Sequence, residues 1–152
     1  MKNVRAYDFA TDDYPRVAYD DLALDALKKM LASERNYAMV VEQGEIIGVI
    51  EQGDIVAAYG RGELESGTLV CELARDRPCI DTAASFDDVV KFMAAYDIFQ
   101  ICFDTKVLDD FMLLRAIWTE RLAIAREFRE YETPATYKTP PREEGSYGIG
   151  YG

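Results

Sequence analysis

The chain repeats itself, and this limits its fold more than any single motif. Tyr14-Pro15-Arg16-Val17 is answered 63 residues later by Arg77-Pro78-Cys79-Ile80. At the same spacing Asp25, Lys28 and Met30 meet Asp88, Lys91 and Met93, while Ala26 and Leu27 meet Val89 and Val90. Phe99-Gln100-Ile101-Cys102-Phe103 answers the strand around Val40 at a spacing of 61, which reads as two residues lost from the helix–strand loop. A unit of about 60 residues is too small to bury both faces of its own sheet. Two such units are therefore expected to pack sheet against sheet around one shared core.

Each unit reads as strand, helix, strand, strand, helix. In the first, Asp20 or Asp21 caps a helix in which Leu22, Ala26, Leu27, Met30 and Leu31 recur at helical spacing. Residues 38–41 are a strand, Gln43-Gly44 a turn, and residues 45–50 the returning strand. Asp54 caps a short second helix that Gly60-Arg61-Gly62 ends. In the second unit Ser85 and Asp88 open the helix, and Asp104-Thr105 turns the hairpin. From Asp110 to Glu130 the apolar residues Phe111, Leu114, Ile117, Trp118, Leu122, Ala125 and Phe128 recur every three or four positions, predicting one amphipathic helix. The expected organisation is a loose polar arm (1–13), repeat 1 (14–60), a polar linker (61–76), repeat 2 (77–118), a helix extension (119–131) and a flexible Pro/Gly/Tyr tail (132–152).

Composition then excludes whole classes of function. A net charge of −11 argues against nucleic acid and against anionic membrane surfaces as partners. The absence of histidine removes imidazole catalysis, Ser-His and Cys-His pairs and His-ligated metals. No run of 18 apolar residues is present and the N-terminus has no apolar h-region, so neither a membrane span nor a signal peptide is expected. Cys71, Cys79 and Cys102 lack paired spacing and read as three reduced thiols in a cytoplasmic protein. The adjacent carboxylates Asp12-Asp13 and Asp109-Asp110 point apart and read as capping or solvated residues, leaving no catalytic or metal site.

The string from Met39 to Asp54, with Val40-Val41, Gly44, Ile46-Ile47-Gly48-Val49-Ile50 and Asp54 in place, resembles the CBS domain. The resemblance covers about residues 14–118, strongly in the first copy and less in the second. It implies an α/β (α+β) fold: two CBS-like β-α-β-β-α repeats packed as a pseudo-two-fold pair, plus a long C-terminal helix and flexible tail. It also implies two quasi-equivalent clefts for an adenosine-containing ligand. The family signature, Gly–hydrophobic–hydrophobic–Thr/Ser–x–x–Asp, places an Asp on the ribose and a hydroxyl on a phosphate. Gly48 and Asp54 match it, but Glu51 takes the hydroxyl position. Ungapped alignment from Val40/Ile101 puts Asp109 at the second Gly position, Met112 at the hydroxyl position and Arg115 at the Asp position.

The resemblance thus implies a stand-alone regulatory module, not an enzyme, that senses AMP, ADP, ATP or S-adenosylmethionine and modulates a partner protein. Its candidate ligand residues are Val17, Tyr37, Gly48, Glu51, Asp54, Ile80, Phe99 and Arg115. Glu51 and the net charge of −11 favour a ligand with few phosphates. Asp54 and Gly48 also have purely structural readings, as a helix cap and as a strand glycine under a close backbone. The alternative function is a ligand-free interaction or scaffold module that uses the C-terminal helix and the Tyr/Gly tail. A homodimer is expected on either reading.

Overall fold

The computed structural model describes residues 4–77 and 79–119. Residues 1–117 belong to one compact unit and a second begins at Trp118. Apart from Thr119, the expected helix extension and tail lie outside the described residues. The elements are β1 (Arg16–Val17), α1 (Ala23–Ser33), β2 (Tyr37–Glu42), β3 (Glu45–Glu51), α2 (Gln52–Gly60), α3 (Val70–Leu73), α4 (Phe86–Tyr96), β4 (Gln100–Phe103) and β5 (Lys106–Asp109). A single 3-10 turn, Ala6–Phe9, precedes them, and residues 110–119 are helical (α5).

The repeat is real, and its register differs from the sequence expectation. β1 runs parallel to β2 with Arg16 opposite Met39, and in the second copy Cys79 lies parallel to Cys102. Arg16 and Cys79 are 63 apart, as are Met39 and Cys102, so no residue is lost between helix and strand. The helices agree: α1 and α4 each stop at a left-handed residue, Glu34 (φ 54°) and Asp97 (φ 53°). Tyr37 faces Glu51 across the first hairpin and Gln100 faces Asp109 across the second. Glu51 and Asp109 are only 58 apart, so the second hairpin is five residues shorter. Asp109 therefore corresponds to Glu51, and Met112 to Asp54. The ungapped alignment had assigned these positions differently because it ignored the shortened hairpin.

Side chains alternate along the strands and serve three cores. Ala38, Val40 and Ile50 face α1 and α2 with Val17, Ala26, Met30 and Ile55. Ile101, Phe103 and Leu108 face α4 and α5 with Phe86, Val89, Met93 and Ala116. The opposite faces, Tyr37, Met39, Ile46 and Val49 from one sheet and Cys102 and Val107 from the other, meet in a core between the repeats, with Tyr14. This is the shared interior that the repeat demands.

Two short segments change places. The Val4 carbonyl accepts the Phe86 N–H at 2.7 Å, Ala6 N–H donates to Ala84, and Thr11 pairs both ways with Val107 at 2.8 Å. The residues read as a loose arm thus close the second repeat, with Ala6, Tyr7, Phe9 and Ala10 in its core. In the same way the linker pairs with the first repeat: Ala23 N–H to Thr68, Val70 N–H to Asp21, and Arg75 both ways with Val49. Leu64, Val70, Leu73 and Ala74 fill that core.

Local expectations meet mixed outcomes. Ser85 caps α4, its hydroxyl accepting the Asp88 N–H at 3.1 Å. Neither Asp20 nor Asp21 caps α1; the N-cap is Leu22, and the Asp21 carboxylate accepts the Ala18 N–H at 2.8 Å instead. Cys79 and Cys102 form a disulfide across their strands, with Cα atoms 4.3 Å apart, and Cys71 is free. Their separation of 23 residues gave no hint of this, because the pairing comes from the sheet and not from local spacing. No helix among the described residues is long and apolar enough to cross a membrane.

Candidate functional site

The two repeats hand each other a carboxylate. Glu51 precedes α2 and Asp109 precedes α5, so both sit at helix N-caps where a carboxylate complements the helix dipole. Asp109 Oδ1 accepts the Met112 N–H at 2.9 Å. Its Oδ2 accepts the Tyr37 hydroxyl at 2.8 Å and Arg35 Nη1 at 2.6 Å, both from the first repeat. Glu51 mirrors it: Oε1 accepts Arg77 Nη2 and Oε2 accepts Gln100 Nε2, each at 3.0 Å, both from the second. Tyr37 and Gln100 are equivalent positions, so the exchange follows the pseudo-two-fold. Asp109 and Gln100 are almost wholly buried, which raises the electrostatic worth of each bond and the penalty for breaking it. Burial, reinforced by the neighbouring Asp109 charge, pushes the Tyr37 phenol well above its ordinary range, so it remains a donor. Around Glu51, Arg77 Nε and Gln100 Oε1 are buried without a hydrogen-bond partner among the described residues.

Asp54 is also fully engaged. Oδ2 accepts the Glu51 N–H at 2.9 Å, and Oδ1 accepts Arg75 Nε at 2.7 Å in an ion pair. It stands at the third position of α2, not at the N-cap. Gly48 lies directly under the linker: a Cβ there would come 2.7 Å from the Arg75 carbonyl oxygen. This is the close backbone approach that a strand glycine permits.

Two cavities open at these N-caps. One, of about 440 Å³, is lined by Glu51, Gln52 and Gly53 of the first repeat, by Asp97 and Phe99 of the second, and by Arg75. The other, of about 750 Å³, is lined by Asp109, Asp110, Phe111 and Leu114 of the second repeat and by the 30–37 segment of the first. They are counterparts under the pseudo-two-fold, and Asn36, Gln52 and Asp110 border both.

The structure brings Glu51 and Phe99 into the smaller cavity and Tyr37 into the larger. Val17, Gly48, Asp54, Ile80 and Arg115 line neither. Val17 is buried in the first core, Ile80 packs on the second, and Arg115 is exposed with its guanidinium over the Phe111 ring. Sequence reasoning missed Arg35, Arg75, Arg77, Gln100 and the structural role of Asp109. The signal for two of them was present: Arg75 and Arg77 are closely spaced cations in an acidic chain, just before a repeat boundary. Among the described residues no group of acidic or cysteine side chains is arranged to hold a metal ion.

Comparison with known proteins places this geometry. Residues 6–61 match the family model of the CBS domain. Comparison with curated proteins gives no match. Among solved structures the chain is similar to an uncharacterized conserved protein from Pyrococcus horikoshii (TM-score 0.68, 15% identity, covering 76% of this chain and 93% of that one). It is similar to a CBS domain pair in complex with 5′-methylthioadenosine and S-adenosyl-L-methionine (TM-score 0.65, 16% identity, 75% and 99% covered). A CBS domain protein from Pyrobaculum aerophilum complexed with AMP is a third (TM-score 0.66, 14% identity, 77% and 97% covered). The first repeat thus matches the CBS domain by sequence, and the chain shares its fold with solved CBS domain pairs.

Proposed function

We propose that this chain is a non-catalytic regulatory module that binds an adenosine-containing small molecule in its inter-repeat clefts and modulates a partner protein. The observation that carries the reading is the pair of equivalent cavities, about 440 and 750 Å³, at the N-termini of α2 and α5. Their size suits a small ligand; the larger combines apolar walls with polar groups, and the smaller is mostly polar with Phe99 on one side. The adenosine class comes from similarly folded CBS structures complexed with AMP or with 5′-methylthioadenosine and S-adenosyl-L-methionine. Phe99 and Tyr37 would flank a base, and Glu51 would border the ligand. Val17, Gly48, Asp54, Ile80 and Arg115 would act behind the cleft or after rearrangement. The ribose role of Asp54 requires Arg75 to release it.

The engagement of Asp54 favours a second reading, a ligand-free interaction module acting through the C-terminal helix or the 132–152 tail. Either reading includes a homodimer, because Leu24, Leu31, Val56 and Tyr59 on the first repeat's helices are exposed. The reading keeps a cytoplasmic location; the Cys79–Cys102 bridge weighs against it, since reducing compartments keep such thiols apart.

Native mass spectrometry of the protein purified from its own source tests all of this together. The expected result is a dimer carrying an adenosine-sized ligand. A bare chain whose melting temperature is unmoved by millimolar AMP, ADP, ATP, adenosine, 5′-methylthioadenosine and S-adenosylmethionine overturns the ligand reading and leaves the interaction module.

A further inference from the structure

The larger cleft is built against phosphate. The N-terminus of a helix ordinarily offers free N–H groups to an anion. In α5 those groups are already used: Asp110 Oδ1 accepts the Phe111 N–H and Asp109 Oδ1 accepts the Met112 N–H, each at 2.9 Å. The cleft's guanidinium, Arg35, commits Nη1 to Asp109 Oδ2 at 2.6 Å, which offsets part of its charge. Glu34 and Asp110 add carboxylates to the lining, which then holds three carboxylates against one guanidinium. The rest of the lining divides between apolar Met30, Leu31, Phe111 and Leu114 and the neutral Ser33, Asn36, Tyr37 and Gln52. A planar apolar group is welcome against the apolar walls, whereas a phosphate meets three carboxylates with one guanidinium to offset them.

We propose that this 750 Å³ cleft selects nucleosides without phosphate over nucleotides, with Asp110 as the residue that sets the preference. The inference rests on the adenosine reading above and sharpens it. Asp109 is held in place by Tyr37, Arg35 and Met112, so its charge belongs to the fold. The Asp110 side chain makes only a local bond to its neighbour's N–H among the bonds described, and Asp110 borders both cavities. The smaller cleft holds a similar set, Glu51, Asp97 and Asp110 against an ion-paired Arg75, but that guanidinium is the more exposed, 60% against 25% for Arg35, and Gly53 has open space at its Cβ.

Methyl NMR of Leu31 and Leu114 in the full chain reports occupancy of this cleft alone. Titration with adenosine, 5′-methylthioadenosine, AMP and ATP should shift these signals at least tenfold more readily with the two nucleosides than with AMP, and least with ATP. Asp110→Asn removes the charge and keeps an oxygen for the Phe111 N–H. It should move the AMP-to-adenosine affinity ratio towards one by about fivefold. AMP binding as tightly as adenosine, or a ratio unmoved in Asp110→Asn, overturns the inference and leaves the adenosine reading intact. Signals unmoved by every adenine compound overturn both.

Discussion

At the residue scale, Tyr37 ties the two repeats together through a single proton. Its hydroxyl donates to Asp109 Oδ2 at 2.8 Å, and both groups lie in the interior. The phenol is raised from its ordinary value of 10.0, first by burial and then by the Asp109 charge. A raised folded value means that below about pH 10 the phenol is protonated in both folded and unfolded chains, and stability does not depend on this group. Above about pH 10 the unfolded chain releases the proton first, so stability falls as pH rises. Urea unfolding of wild type between pH 8 and 11 should therefore lose up to about 1.4 kcal/mol per pH unit more than Tyr37→Phe does. Parallel pH profiles for the two proteins would show that Tyr37 is not held protonated. Little of this was legible beforehand. The sequence marks Tyr37 only as a candidate ligand residue, and ungapped alignment puts Asp109 at a glycine position, because the five-residue shortening of the hairpin appears only once strand pairs are known.

Elements were legible in proportion to their length and periodicity. The helical spacing of Ala26 and Met30, and of Val89 and Met93, found α1 and α4, and each side chain lies in the core that the pattern implied. The Ala6–Phe9 turn and α3 (Val70–Leu73) are four residues each, too short to carry a period. They exist because the opposite repeat's backbone receives them. The disulfide belongs to the same category, since it joins residues that only strand pairing makes neighbours. Closing a loop of 23 residues should stabilise the fold by about 3 kcal/mol. Cys79 is exposed, so Cys79→Ser loses little packing. Its urea midpoint and that of reduced wild type should fall together by an amount near that value. A midpoint indifferent to reductant would mean that the bridge contributes nothing.

For the whole molecule, the exchange of segments has a consequence that a row of two independent domains would not have. A chain of residues 1–61 would lack Val70, Leu73 and Ala74 from its helix-side core and Arg75 from the edge of its sheet. It would also expose Tyr37, Met39 and Val49, which the second sheet covers. A chain of residues 62–152 would lack Ala6, Tyr7 and Phe9 and the Thr11 pairing with Val107. Each piece carries the segment that the other needs. Neither should unfold cooperatively alone by circular dichroism, because each leaves two apolar faces in water. Mixed in equal amounts, they should recover the full chain's spectrum and co-elute on gel filtration, with a transition that shifts with concentration as for any two-chain assembly. Either fragment giving a sigmoidal denaturation curve alone would show that its repeat folds without the exchange. The reciprocal carboxylates would then decorate an interface between two finished domains. If instead only the mixture folds, any ligand settling between the repeats acts on the same surfaces that hold the molecule together. Binding there would be read out as stability of the whole pair.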